Sequence, residues 1–137
     1  MKTFLALAAV LGLVGVALGA FGSHPLRAKL PPERLVTFET SVRYQMWHAL
    51  ALFAVVLVDA STPAVTRSTT VLYAVEGKTS WPVLAAGWLF VAGIALFSGS
   101  LYALAFTGRR AWGAVTPFGG ACLLLGWAML LFAILVK

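Results

Sequence analysis

Trp81-Pro-Val-Leu-Ala-Ala-Gly-Trp-Leu-Phe-Val-Ala-Gly-Ile-Ala-Leu-Phe-Ser-Gly-Ser-Leu-Tyr-Ala-Leu-Ala-Phe106 carries no charged side chain. Thr107-Gly-Arg-Arg110 follows, and then a second uncharged apolar run from Gly113 to Val136. A helix needs roughly 20 apolar residues to cross a bilayer core about 30 Å thick. Both runs meet that length, so the pair reads as two membrane-spanning helices joined by a tight basic turn. Two further runs join them, Phe4 to Phe21 and Arg43 to Asp59, the second of which is short and needs part of the preceding helix, or a locally thinned bilayer, to complete the crossing. The spans are placed at about 4–21, 43–59, 81–106 and 113–136 of a single domain covering 1–137. The whole chain is 61% hydrophobic and 10% charged, a balance that a soluble domain of 137 residues cannot sustain on its surface. The expected fold is an all-α integral membrane four-helix bundle.

The connections refine this picture. In the first, Pro31-Pro32-Glu33 is a helix start, since proline suits the first turn and an acid suits the positive helix end. Leu35, Phe38 and Val42 then share one face, and Glu39 and Arg43 form an i, i+4 pair on another. A short amphipathic interfacial helix is expected there, continuing into span two. Residues 60–80 are rich in Ser and Thr and read as a surface loop, with a short apolar stretch at 71–75. Thr116-Pro117 reads as the N-cap and first helical position of span four.

Met1-Lys2 followed by an apolar run ending in small residues also has the outline of a secretory signal peptide. Gly12, Gly15, Gly19 and Gly22 argue for a retained helix, because they fall at i, i+3, i+7 and i+10 on one face. Small residues at that spacing let two helix backbones approach. Gly119-Gly120 read as a second close-packing site.

Basic residues outnumber acidic ones, ten to four. They sit in the connections, which indicates topology and contact with anionic lipid headgroups rather than nucleic acid. Arg27, Lys29, Arg34, Arg43, Arg109 and Arg110 belong to connections one and three. Lys2, Arg67, Lys78 and Lys137 belong to the opposite side. The positive-inside rule then puts both termini outside.

The polar residues of the spans gather at the end marked by connections one and three. His24 lies just past span one, Gln45 and His48 open span two, and Ser98, Ser100 and Tyr102 lie late in span three. Thr116 opens span four. Ser41, Gln45 and His48 share one stripe, whereas Ser98 and Ser100 point to nearly opposite faces. An intramembrane histidine faces the bundle or a water cavity, so His48 is either an interhelical hydrogen-bonding group or part of a relay or ligand site. Lone Cys122 is a small packing residue. No motif for a metalloprotease, P-loop or serine hydrolase is present, and two histidines with a distant cysteine make a poor zinc site. No cofactor and no metal are expected.

Gly19-Ala-Phe-Gly-Ser-His24, Tyr44-Gln-Met-Trp-His-Ala-Leu-Ala-Leu52, Phe97-Ser-Gly-Ser-Leu-Tyr102 and Thr116-Pro-Phe-Gly-Gly120, followed by Gly126-Trp127, occur in this order. Together they resemble the domain of unknown function 423 family, which includes YgdD-like and transmembrane protein 256-like small four-span proteins. Ser23 stands where the family pattern has alanine. The resemblance implies a bacterial inner-membrane location and gives weight to His24, Gln45, His48, Ser98, Ser100, Tyr102, Thr116 and Gly119. It implies no reaction. The expected role is a non-enzymatic accessory, assembly or lipid-binding component, with membrane lipids, a second copy or a larger membrane complex as partners. The alternatives are a small transporter or channel with a polar cavity around His48, and a membrane enzyme acting on lipid headgroups.

Overall fold

A computed structural model describes residues 1–60 and 79–136. The expected loop at 60–80, including its apolar stretch at 71–75, lies almost wholly outside the described residues. Four segments are long and apolar enough to cross a membrane: Lys2–Leu26, Pro32–Ala60, Trp81–Thr107 and Arg110–Leu135.

The first comprises α1 (Lys2–Phe21) and a π-helical turn, Gly22–Leu26. Pro25 lies inside that turn. It has no N–H to return to the carbonyl four residues back, so regular α-helix cannot continue through it. The second segment is one unbroken helix, α2 (Pro32–Ala60). The amphipathic stretch is its first turns, held at the start by bonds from the Arg34 and Leu35 amides to the Pro31 carbonyl. The third is split into α3 (Trp81–Gly93), a π-helical turn at Ile94–Ser98 and α4 (Gly99–Thr107). Gly108 ends α4 in the left-handed conformation, φ 68°, which glycine adopts without steric cost. The fourth opens with a 3₁₀ turn, Arg110–Ala114, and continues as α5 (Thr116–Leu135).

The helices pack in pairs. α1 lies chiefly along α2, α3 along α5, and α4 returns to α2. The main core joins Phe4, Leu52, Val55, Val83, Phe90 and Leu123. Phe38, Leu26 and Ala105 form a smaller cluster at the end of connection one. The outer surface carries Leu13, Leu124 and Leu135, each 74% exposed, as expected of side chains solvated by lipid rather than water.

The glycine stripe of α1 faces α2. A β-carbon at Gly15 would strike the Met46 sulfur, and one at Gly22 would come within 2.8 Å of the Phe38 ring. Gly12 is a correction to the expected stripe, since a β-carbon there would meet nothing within 4 Å. Gly12 lies toward the edge of the stripe, whereas the neighbouring Leu11 and Ala8 stay packed in the bundle. Gly12→Ala should therefore leave stability unchanged or raise it by up to about 1 kcal/mol, the helix-propensity gain. Thermal unfolding in detergent checks this, and a lowered midpoint would contradict the open environment.

Close packing falls instead on three glycines that the sequence pattern did not mark out for it. Gly87 faces the Phe4 ring, Gly93 faces Leu123, and Gly126 faces the Phe90 ring.

Candidate functional site

Gln45 sits 4% exposed on the inner face of α2. Its amide Nε2 donates to the Leu11 carbonyl of α1 at 2.8 Å. Its Oε1 accepts from the Tyr102 hydroxyl of α4 at 3.0 Å. One side chain thereby ties three helices. The bare surface at Gly15 makes this approach feasible, for Nε2 lies only 3.5 Å from where a β-carbon there would stand.

One turn toward connection one, Ser41 and Ser98 bond reciprocally. Ser41 Oγ donates to the Ser98 carbonyl at 2.6 Å, and Ser98 Oγ donates to the Ser41 carbonyl at 3.0 Å. Ser98 closes the π-helical turn. Such turns offset the regular i→i−4 ladder and are frequent at special sites in helices, so an outside donor meets the backbone here. Ser100 faces the other way, as its spacing implied. Its hydroxyl is 2.8 Å from Thr116 Oγ1 and donates to the Phe97 carbonyl at 3.0 Å. Thr116 thus serves as a link from α4 to α5, donating its proton to Ser100 Oγ, with the Trp112 carbonyl farther off at 3.4 Å. It does not cap α5, because that helix has no side-chain cap bond.

His48 is 6% exposed. Its Nδ1 is 2.8 Å from the Tyr44 carbonyl of its own helix. Its Nε2 is 3.3 Å from Nε1 of Trp127 on α5. A carbonyl only accepts and an indole N–H only donates. The two partners therefore select the neutral tautomer, with the proton on Nδ1. Both ring nitrogens are engaged, and no buried side-chain nitrogen or oxygen among the described residues lacks a partner. In bilayers such interhelical bonds average about 0.6 kcal/mol and reach about 1.7.

Of the residues expected to form one polar cluster, Gln45, His48, Ser98, Ser100, Tyr102 and Thr116 all enter this seam. His24 does not. It is exposed on the π turn after α1, and among the described residues no side-chain hydrogen bond links it to the others. Trp127 and Ser41 belong to the seam and were absent from the expected cluster, although Ser41 lay on the stripe of Gln45 and His48. Of the second glycine pair, Gly119 meets the backbone of Leu96 and Phe97 directly, whereas Gly120 makes ordinary contact with the Phe97 ring at 3.7 Å.

Beside His48 a cleft of about 500 Å³ opens between α2 and α5. Tyr44, His48, Phe97, Pro117, Leu124 and Trp127 are among its walls. Tyr44 and Phe97 pack at 4.5 Å between ring centroids, and Phe90 meets Trp127 edge-on at 5.2 Å. Trp127 is 47% exposed and Leu124 74%, so the cleft faces sideways into the bilayer. Among the described residues no group of three His, Cys, Asp or Glu could hold a metal ion.

Four membrane-length helices, laced at one end by hydrogen bonds and lipid-facing elsewhere, define a small multi-pass membrane protein. The chain belongs to the DUF423 family, whose model, described as a protein of unknown function, matches residues 18–120. It is 41% identical over 133 residues to the UPF0382 membrane protein YwdK of Bacillus subtilis, covering 97% of this chain and 96% of that one. A UPF0382 membrane protein of Staphylococcus aureus is 38% identical over 133 residues, with 97% and 95% covered. One of Staphylococcus epidermidis is 39% identical over 135 residues, with 98% and 97% covered. No solved structure matches the chain.

Proposed function

We propose that this protein is a non-enzymatic, lipid-binding component of the bacterial inner membrane, holding a lipid acyl chain in the cleft beside His48. The observation that carries this reading is the cleft itself, sideways-facing and mainly apolar. Its volume falls within the roughly 300–1,000 Å³ typical of small-ligand sites. A cleft open to hydrocarbon is filled by hydrocarbon, since water there would forgo its hydrogen bonds. The polar side chains that a catalyst would need are committed to joining helices. The six Lys and Arg residues of connections one and three, against four on the other side, support an orientation with that polar end in the cytoplasm and both termini outside. A C-terminal tag found in the cytoplasm would overturn that orientation.

Native mass spectrometry of the purified protein tests the binding. Ala121 lines the cleft and is exposed, so Ala121→Phe fills it without entering the core. Co-purifying lipid should fall about tenfold, equivalent to 1.4 kcal/mol, with the unfolding midpoint unchanged. Undiminished lipid would refute the reading. A transporter is the second reading, favoured by the contact of the cleft with His48. It requires solute flux in proteoliposomes that His48→Ala abolishes.

A further inference from the structure

A second hollow, of about 290 Å³, lies between the end of α1 with its π turn and the side of α2 that turns toward them. Gly19, Gly22 and Ser23 bound it on one side, and Phe38, Glu39 and Arg43 on the other. It shares no residue with the cleft beside His48. The two glycines create the room. A β-carbon at Gly19 would already be in contact with Val42 at 3.5 Å, and one at Gly22 would reach the Phe38 ring at 2.8 Å.

Three features give the hollow a chemical identity. Glu39 and Arg43 are one turn apart on α2, so their β-carbons are about 5–6 Å apart on one face. Both are exposed, and among the described residues neither is held in an ion pair. Ser23 Oγ gives its proton to the Gly19 carbonyl at 3.0 Å, so toward a ligand it is left as an acceptor. The position is the last turn before the uncharged run that begins at Tyr44, which is headgroup depth rather than hydrocarbon depth.

We infer that this hollow binds the headgroup of a zwitterionic aminophospholipid of the phosphatidylethanolamine type. The phosphate pairs with the Arg43 guanidinium, which suits its planar fork of donors. The ammonium pairs with Glu39 and donates to Ser23 Oγ. A headgroup with only the phosphate charge satisfies Arg43 but leaves Glu39 unpaired beside an anion. Arg43 thus provides affinity and Glu39 provides selection. The same phosphate-and-ammonium chemistry occurs in a soluble phosphoamine, and the depth of the site favours the lipid.

The full chain in nanodiscs of equal phosphatidylethanolamine and phosphatidylglycerol provides the test, with bound lipid read by native mass spectrometry. The wild type should enrich phosphatidylethanolamine about tenfold, a 1.4 kcal/mol preference. Glu39→Gln should bring the ratio near one by raising phosphatidylglycerol, and Arg43→Gln should release both lipids. The cleft variant Ala121→Phe should keep the preference, which separates this site from the acyl-chain cleft. Millimolar glycerophosphoethanolamine should leave the lipid in place. No enrichment in the wild type, a preference that survives Glu39→Gln, or displacement by the soluble headgroup would each overturn the inference.

Discussion

Gly119→Ala is expected to destabilise the bundle by about 3 kcal/mol, the upper range for overpacking a filled site. The added β-carbon would land on the Phe97 amide nitrogen, with Phe97 Cα at 2.7 Å and the Leu96 carbonyl carbon at 2.8 Å. These are backbone atoms of a helical turn, so no side chain can swing aside. α5 must back away from the third span as a unit. That movement stretches the Ser100–Thr116 contact, now 2.8 Å, and the Trp127–His48 bond, already 3.3 Å. Gly120→Ala adds the same methyl group one residue along and meets only the Phe97 ring at 3.7 Å. It should remain close to wild type. Thermal unfolding of the two variants in one detergent gives the comparison, and equal midpoints would rule out the backbone contact.

Gln45→Leu ranks next in expected effect. It keeps the volume of the side chain but removes bonds to two other helices. At about 0.6–1.7 kcal/mol for each bond in a bilayer, the loss is about 2 kcal/mol. Part of it comes from the Tyr102 hydroxyl, which is left half-buried without its acceptor. Tyr102→Phe removes that hydroxyl, so Gln45→Leu should cost less in its presence. A double-mutant cycle on unfolding free energies should return a coupling of about 1 kcal/mol. Strict additivity would mean that the two side chains do not interact.

The spans were legible because hydrocarbon imposes a long apolar run on every helix that crosses it. The polar end was legible for the related reason that polar side chains deep in a span are rare. Helical spacing also separated Ser98 from Ser100 correctly, and they now face α2 and α5 respectively. The partners were less accessible. Three of the interhelical acceptors in the seam are backbone carbonyls, at Leu11, Ser41 and Ser98, and a carbonyl leaves no mark on residue identity. Trp127 lies 79 residues from His48, and only the folded chain brings the indole to the imidazole. Gly12 misled for a geometric reason: a stripe is wider than the line of closest contact, and Gly12 lies at its open edge. His24 misled because closeness to the end of span one does not fix which way a side chain points, and the π turn leaves it exposed between buried Gly22 and Leu26.

The π-helical turn at Ile94–Ser98 bears on how this span is compared with any other. Phe90 and Gly93 before the turn, Phe97 within it and Ser100 after it all meet α5. Ser98 and Tyr102 meet α2. At about 100° per residue each set falls on one stripe, so both seams run straight through the turn. The widened backbone therefore changes the carbonyl ladder locally without re-aiming the faces. One crossing serves two neighbours side by side along its length, and a single helical wheel through 81–107 keeps both in register.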